Sequence, residues 1–342
     1  MLRKLLLCWG PLVLLMTGPA QATELMRVRI ASPDNGHIHP AACFSKRGTL
    51  VVIYGSTYHT ELAVSRSTDG GGTWSVPTPF PHTVGKTHYP GALTALENGQ
   101  IVHAWNRWSG ETNQDEPRSV LYSMSSDEGK TWGKPTQIPR DPGMNSIVRH
   151  SIVELASGEW LWSLSDRTFI YDPAERVEKP LGDGRVHGLV PIVRTPRATL
   201  ISGQGLRSGD GGRNWQTIEG FPDYGVNVAR RADSREGWLI PGSGYRNEMV
   251  CLSNGWLLAS EILGPGRGGE KIRYVISRDD GVTWNDHFVY YNPGRPIGGR
   301  ACPRTVQLDG NTIGVVFFDI SPNQAGGSGL FFLRIPLSKL AN

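Results

Sequence analysis

An eight-residue pattern, Ser-x-Asp-x-Gly-x-Thr-Trp, occurs four times in the chain and restricts its fold more than any other feature. The copies are residues 67–74, 125–132, 208–215 and 277–284, and the third has Asn214 in place of threonine. An aspartate can accept hydrogen bonds from its own turn, and a glycine can adopt positive φ. A tryptophan can bury its ring against the body of the protein. Because the same aspartate recurs in every copy, we predict that these turns are structural and that any chemistry lies elsewhere.

A second repeat consists of segments that alternate apolar and polar residues around a glycine turn. They begin at Pro40, Pro90, His150, Asn247 and Pro303. Such segments indicate antiparallel hairpins, and no segment shows a long helical period. Repeats of this size built only from strands are typical of a β-propeller.

We therefore predict an all-β fold, a six-bladed β-propeller in one continuous domain. The sixth blade comes from a less regular region at residues 169–244. Seven blades are the alternative, because residues 190–205 and 226–240 could belong to separate blades. The strand at residues 26–32 is expected to close the ring against the last blade.

The first 22 residues have the pattern of a secretory signal peptide. Arg3 and Lys4 precede an apolar run at residues 5–16, and Ala20-Gln21-Ala22 fits a cleavage site. The propeller domain then covers residues 23–342. Because no second long apolar segment follows, we predict no membrane span and a periplasmic or extracellular location.

Charge and cysteine content exclude several kinds of partner and site. The chain has 35 Lys and Arg against 31 Asp and Glu, and loss of Arg3 and Lys4 leaves a net charge of +2. This near-neutrality argues against nucleic-acid binding. Three cysteines remain, Cys43, Cys251 and Cys302, with no CxxC pair that would suggest zinc. We interpret them as small buried strand residues, of which at least one is unpaired, and we predict no cofactor.

The four turns match Asp boxes, and with the hairpins the chain resembles the sialidase (neuraminidase) superfamily of BNR-repeat proteins. The resemblance implies three arginines that bind a substrate carboxylate, a tyrosine nucleophile activated by a glutamate, and an aspartate that acts as the acid. This sequence departs from that pattern. Ile38 stands at the first arginine position, Arg246 at the glutamate position and Cys302 at the tyrosine position.

The starts of the innermost strands, near the propeller axis, carry other residues suited to chemistry. Histidine can transfer protons near neutral pH, and arginine binds a carboxylate or sulfate through two parallel hydrogen bonds. Our catalytic candidates are His39, His88, Tyr89, His150, Tyr245 and Glu248. Our candidates for substrate binding are His37, Arg149, Arg246, Arg300 and Arg304. Four of the histidines could supply metal ligands, but we assign no metal site.

These residues suit an exported, exo-acting glycoside hydrolase whose partner is an acidic oligosaccharide or polysaccharide. One alternative is a uronate polysaccharide lyase, in which His88 or Tyr89 would remove the C5 proton beside Arg149 and His150. The other is a non-catalytic glycan-binding propeller, in which Tyr58, Trp105 and Trp108 would stack on sugar faces. A base and an acid within reach of one ligand would distinguish an enzyme from a binding protein.

Overall fold

Six four-stranded antiparallel sheets make up the computed structural model. It describes residues 25, 27–32, 40–57, 61–83, 88–108, 118–139, 146–186, 188–221, 248–263, 271–290, 303–319 and 329–340. Each sheet is one blade, so the predicted all-β, six-bladed β-propeller is confirmed. Residues 190–205 supply the first two strands of blade four, and residues 226–240 lie outside the described residues, as does the predicted signal peptide.

The strands follow one another in chain order within each of the first five blades. Blade one contains β2 (Ala41–Phe44), β3 (Leu50–Thr57), β4 (Glu61–Ser67) and β5 (Thr78–Pro79). Blade two contains β6 (His88–Ala95), β7 (Ile101–Trp108), β8 (Arg118–Ser125) and β9 (Thr136–Gln137). Blade three contains β10 (Val153–Glu154), β11 (Trp160–Ser163), β12 (Thr168–Asp172) and β13 (Val177–Pro180). Blades four and five are β14 (Ile192–Arg194), β15 (Leu200–Ser202), β16 (Leu206–Ser208), β17 (Gln216–Thr217); and β18 (Glu248–Cys251), β19 (Leu257–Leu263), β20 (Lys271–Ser277), β21 (Asn285–Tyr290).

Blade six joins the two ends of the described chain. It contains β22 (Arg304–Asp309), β23 (Thr312–Asp319), β24 (Gly329–Pro336) and, as its fourth strand, β1 (Arg27–Ala31). Val28 of β1 pairs with Phe332 of β24, so the predicted ring closure is confirmed. A short 3-10 helix, Leu337–Leu340, follows β24.

The blades pack face to face through strands that are apolar on both sides. In β3, Leu50 and Val52 belong to a core with Phe332 of blade six, whereas Val51 packs with Trp105 of blade two. Successive strand residues point to opposite faces, so an uninterrupted apolar run is what a sheet buried on both faces requires. The first strands of neighbouring blades contact one another and surround the axis.

Each repeated turn satisfies its aspartate internally. In the first copy, Ser67 Oγ donates to Asp69 Oδ1 at 2.7 Å and accepts from the Gly71 amide at 2.8 Å. Thr73 donates from its amide to Oδ1 at 2.9 Å and from Oγ1 to Oδ2 at 2.7 Å. In the third copy, Asn214 Nδ2 donates to Asp210 Oδ2 at 2.7 Å and so replaces the threonine hydroxyl. This geometry suits the structural role that the repeats suggest.

The glycine of each repeated turn faces the preceding blade. A Cβ added to Gly71 would lie 2.1 Å from the Phe332 ring of blade six, and one on Gly129 would lie 3.0 Å from Val51 of blade one. One on Gly212 would lie 2.7 Å from Leu181 of blade three. The repeated turns therefore seal blade interfaces, and positive φ at these glycines lets the backbone come close.

We expect Asp127→Ala to lower the free energy of unfolding by about 1–2 kcal/mol, because the turn amide and hydroxyl of Thr131 lose their acceptor. The figure is modest because Asp127 is only partly buried, so water screens its charge. Urea denaturation of both proteins measures the loss. Lys130→Ala, at a variable position of the same turn, is the matched control and should leave stability unchanged.

The same variant gives a pH test. Burial raises the pKa of Asp127, but hydrogen bonds from Thr131 and Ser125 outweigh it and lower the pKa from 3.8 to about 2. A carboxylate with a depressed pKa stabilises the fold above its unfolded value and loses that contribution as pH falls through the folded value. The difference in free energy of unfolding between wild type and Asp127→Ala should therefore become smaller as the pH falls from about 4 to about 2. A difference that stays constant over this range would contradict the assignment.

Candidate active site

Predicted site residues from three blades meet where the first strands begin. Arg149 and His150 precede β10, Glu248 is the first residue of β18, and Arg304 is the first residue of β22. All four side chains are buried, and Arg304 is only 3% exposed. With Thr305, they form what we call the axial cluster.

Arg304 contacts the strand starts of four other blades. Its Nε donates to the Pro40 carbonyl at 2.8 Å, and its Nη2 donates to the carbonyls of Arg149 at 2.7 Å and Gly91 at 3.3 Å. Its Nη1 donates to Glu248 Oε1 at 3.2 Å. The inner edge of each first strand has no neighbouring strand, so carbonyls there need other donors. One guanidinium supplies them for blades one, two and three.

Glu248 is held at both of its oxygens. Oε1 accepts from Arg304, and Oε2 accepts from the Thr305 amide at 2.5 Å. Burial raises the pKa of Glu248, while the charge of Arg304 and the hydrogen bond from Thr305 oppose that shift. Tyr274 lies behind this contact, with its hydroxyl 3.4 Å from Thr305 Oγ1.

His150 is a buried, neutral imidazole. Burial, followed by the positive charges of Arg304 and Arg149, lowers its pKa well below the ordinary value of 6.5. Near pH 7 the ring therefore carries no charge and can accept a hydrogen bond, while burial and the neighbouring cations disfavour its protonation.

An axial channel of about 560 Å³ runs between the first strands. His150, Glu248 and Thr305 line one end, and Glu154 and Gln307 line the other. The side chains between them are mostly aliphatic. The channel thus connects the axial cluster with the end of the propeller where the first strands finish.

The other predicted site residues remain predictions. His88 and Tyr89 begin β6, where they pair with Arg107 and Asn106, but their side chains lie outside the described part of the chain. The remaining candidates lie outside the described residues altogether: His37, His39, Tyr245, Arg246 and Arg300. Within the described ranges, no group of three or more His, Cys, Asp or Glu side chains is placed to hold a metal ion.

Sequence reasoning missed Thr305 and Tyr274. Thr305 directly follows a predicted arginine, and that position was the only signal for it. Tyr274 lies inside an ordinary apolar alternation in β20, which gives no indication of its contact with the cluster.

Trp105, a candidate for stacking on sugar, is fully buried. Its ring centroid lies 5.1 Å from that of Phe80 and 5.2 Å from that of His103. It packs between blades and presents no face to a glycan. Tyr58 and the Trp108 side chain lie outside the described part of the structure.

Two of the cysteines predicted to be strand residues are described, and both are free. Cys43 is buried in β2, and Cys251 is half-buried in β18. Burial raises the pKa of both thiols, that of Cys251 to about 12. Neither is therefore a thiolate at neutral pH, and Cys302 lies outside the described residues.

Comparison with known proteins places this fold among sialidases. The chain is 24% identical over 294 residues to a protein named Sialidase from Bacteroides fragilis, covering 76% of this chain and 45% of that protein. No family model matches the chain.

Solved structures of low sequence identity share the fold. A Hadza microbial sialidase has a TM-score of 0.63 and 16% identity, over 92% of this chain and 69% of that one. The intramolecular trans-sialidase of Ruminococcus gnavus has a TM-score of 0.56 and 13% identity, over 89% and 95%. A Dyadobacter fermentans protein of unknown function has a TM-score of 0.60 and 20% identity, over 91% and 99%.

No helix with the length and hydrophobicity of a membrane span occurs in the part of the chain that the structure describes. The chain spans less than half of its curated relative, so that protein's activity does not transfer directly. In sequence and in its six-bladed fold, the chain resembles the sialidases.

Proposed function

We propose that this chain is an exported glycoside hydrolase that removes a terminal acidic sugar from a glycan. One observation carries the proposal: a sialidase-like propeller buries two arginines, a glutamate and a neutral histidine together at its axial end. The relative named Sialidase supports the reaction class. The departures at Ile38, Arg246 and Cys302 support a residue set that differs from the one expected in sialidases.

The arginines define the substrate class. A guanidinium recognises a carboxylate or sulfate by charge and by paired hydrogen bonds. We assign this role to Arg149 among the described residues, with His37, Arg246 and Arg300 as further candidates. A sialic acid, a uronate or a sulfated sugar would each satisfy it.

Hydrolysis also needs a proton donor for the leaving oxygen and a base or nucleophile at the sugar carbon. His150 remains a candidate for this step: its ring is in the neutral form that a base requires, while burial and the charges of Arg304 and Arg149 lower its proton affinity. His39, His88, Tyr89 and Tyr245 are the other candidates for proton transfer. Glu248 differs from these candidates, because both of its oxygens are already bonded within the protein.

Incubation of the mature protein with sialylated, uronate-containing and sulfated oligosaccharides tests the proposal, with mass spectrometry of the products. We expect a released sugar and a remainder that together have gained one water. An unsaturated sugar end would instead identify an elimination, and binding without cleavage would identify a glycan-binding propeller. Either result would overturn the proposal.

Arg149→Lys provides the matching variant test. Lysine keeps the charge but cannot make the paired hydrogen bonds, and we expect kcat/KM to fall about 100-fold. Arg194→Lys, at the finish of the first strand of blade four, is the control and should retain full turnover. Thermal unfolding of both variants separates lost activity from lost folding.

Export has its own test. If residues 1–22 are a signal peptide, N-terminal sequencing of the protein recovered after secretion should begin at residue 23. A chain that retains Met1 would contradict this part of the proposal.

A further inference from the structure

Arg304 differs from a substrate-binding arginine in how its donors are used. An arginine has five N–H donors, and four of those on Arg304 point to protein acceptors: the carbonyls of Pro40, Gly91 and Arg149, and the carboxylate of Glu248. A carboxylate bound through two parallel hydrogen bonds would have to displace some of these contacts. The described geometry therefore does not suit Arg304 as a direct ligand for the sugar.

The acceptors of Arg304 share one property: each is a predicted site residue or lies within two residues of one. Pro40 follows His39, Gly91 lies two residues after Tyr89, and Arg149 is itself a candidate. Glu248 follows Asn247, one residue after Arg246. One guanidinium thus bonds to the backbone or side chain of four blades at positions that are, in the sequence, at or within two residues of site candidates.

Gly91 shows that this contact depends on local backbone shape. The pairing of β6 with β7 shifts register between Tyr89 and Ala92, and Gly91 has a φ of 53°. A Cβ there would lie 2.1 Å from the Ala104 carbonyl. A β-bulge at this point re-aims the strand, and only glycine fits the position. The bulge lies where Arg304 holds the strand.

Glu248 completes the arrangement from blade five. It binds the guanidinium through one oxygen and the Thr305 amide through the other, so it fixes both the side chain and the backbone at the start of β22. A buried arginine needs a counter-charge, and Glu248 provides it in the described structure.

We propose that Arg304 and Glu248 are positioning residues that set the relative placement of the first-strand starts of blades one, two, three and five, and with them that of Arg149 and His150. Arg149 keeps the substrate-binding role that the proposed function assigns to it. The part of this inference that concerns turnover rests on the proposed function. The part that concerns the unliganded protein does not.

Hydrogen exchange of the unliganded protein tests whether Arg304 and Glu248 organise the strand starts. In Arg304→Lys, one ammonium can reach Glu248 but cannot bond to three separated carbonyls. We expect amides in residues 41–43, 91–93 and 150–153 to exchange at least about tenfold faster, while residues 50–54 of β3 keep the wild-type rate. Arg334→Lys is the control, because Arg334 also donates to a carbonyl of another blade, that of Gly70, but at an exposed position. It should change none of these segments.

Kinetic measurements on the sugar that the wild type cleaves test the part of the inference that concerns turnover. We expect kcat of Arg304→Lys, per folded molecule, to fall about 10- to 100-fold, because displaced catalytic groups raise the barrier even with bound substrate. Glu248→Gln keeps the shape of the side chain but not its charge. Its kcat should also fall, and its amides should exchange faster in the same segments. This second variant decides the question if Arg304→Lys does not fold.

Two results would overturn the inference. An unchanged exchange pattern with a raised KM and normal kcat would make Arg304 a substrate ligand. Uniformly faster exchange in all blades with normal kcat per folded molecule would make it a purely structural residue. If wild type cleaves none of the sugars, the proposed function fails, while the exchange measurement still decides whether Arg304 organises the strand starts.

Discussion

Glu248→Ala is expected to lower the free energy of unfolding by about 3–5 kcal/mol, one of the two largest effects that we predict. The change leaves Arg304, which is only 3% exposed, without the carboxylate that neutralises it. Removing one partner of a buried ion pair is costly because a charge remains in a medium that solvates it poorly. Denaturation in guanidinium chloride measures the loss.

A double-mutant cycle separates this cost from lost packing. Glu248→Met with Arg304→Met removes both charges, so the pair should lose less stability than the sum of the two single variants. The three carbonyls that Arg304 holds would still lose their donors, so the double variant should not regain full stability. Additive losses would show that Glu248 and Arg304 are not energetically coupled.

The second large effect is expected for Gly71→Ala, with a loss of about 2–5 kcal/mol. Gly71 has a φ of 92°, which strains any other residue, and its added Cβ would lie 2.1 Å from Phe332. The Phe332 ring is fully buried, and a Cβ at Gly314 would lie 2.5 Å from it. The ring therefore has little room to move away.

Gly99→Ala is the matched control for this variant. Its φ is 84°, close to that of Gly71, but nothing lies within 4 Å of the added Cβ. It should cost only the backbone strain, about 1–2 kcal/mol. If Gly71→Ala and Gly99→Ala cost the same, the close approach of the turn to blade six does not contribute to stability.

The repeating part of the fold could be predicted because each signal is local. The turns at Asp69 and Asp127 and the hairpins around them depend on contacts within a few residues, and the structure confirms six blades. Blade three was harder to delimit, because it has no copy of the repeated turn. There Asp172 instead accepts hydrogen bonds from the amides of Ala174 and Glu175. The region predicted as irregular from residue 169 therefore begins with the outer strands of blade three.

The candidate site was only partly readable from the sequence. The register of the first strands identified Arg149, His150, Glu248 and Arg304, and the structure brings these four together. The hydrogen bonds that each of the four makes could not be predicted, because they join residues far apart in the chain. Arg304 and Pro40, for example, are separated by 264 positions. A pattern within one blade cannot show which carbonyls of other blades a guanidinium will reach.

The pairing of β1 with β24 has a consequence for the order in which the protein can fold. β1 is synthesised about 300 residues before its partner. Until β22, β23 and β24 have all been made, blade six is incomplete, and the first and fifth blades each expose an apolar face to water. Contacts between distant segments form slowly, and unpaired strands invite association with other chains. Ring closure is therefore a late folding step. A chain that has not yet closed the ring should aggregate and be cleaved by proteases more readily than the native protein.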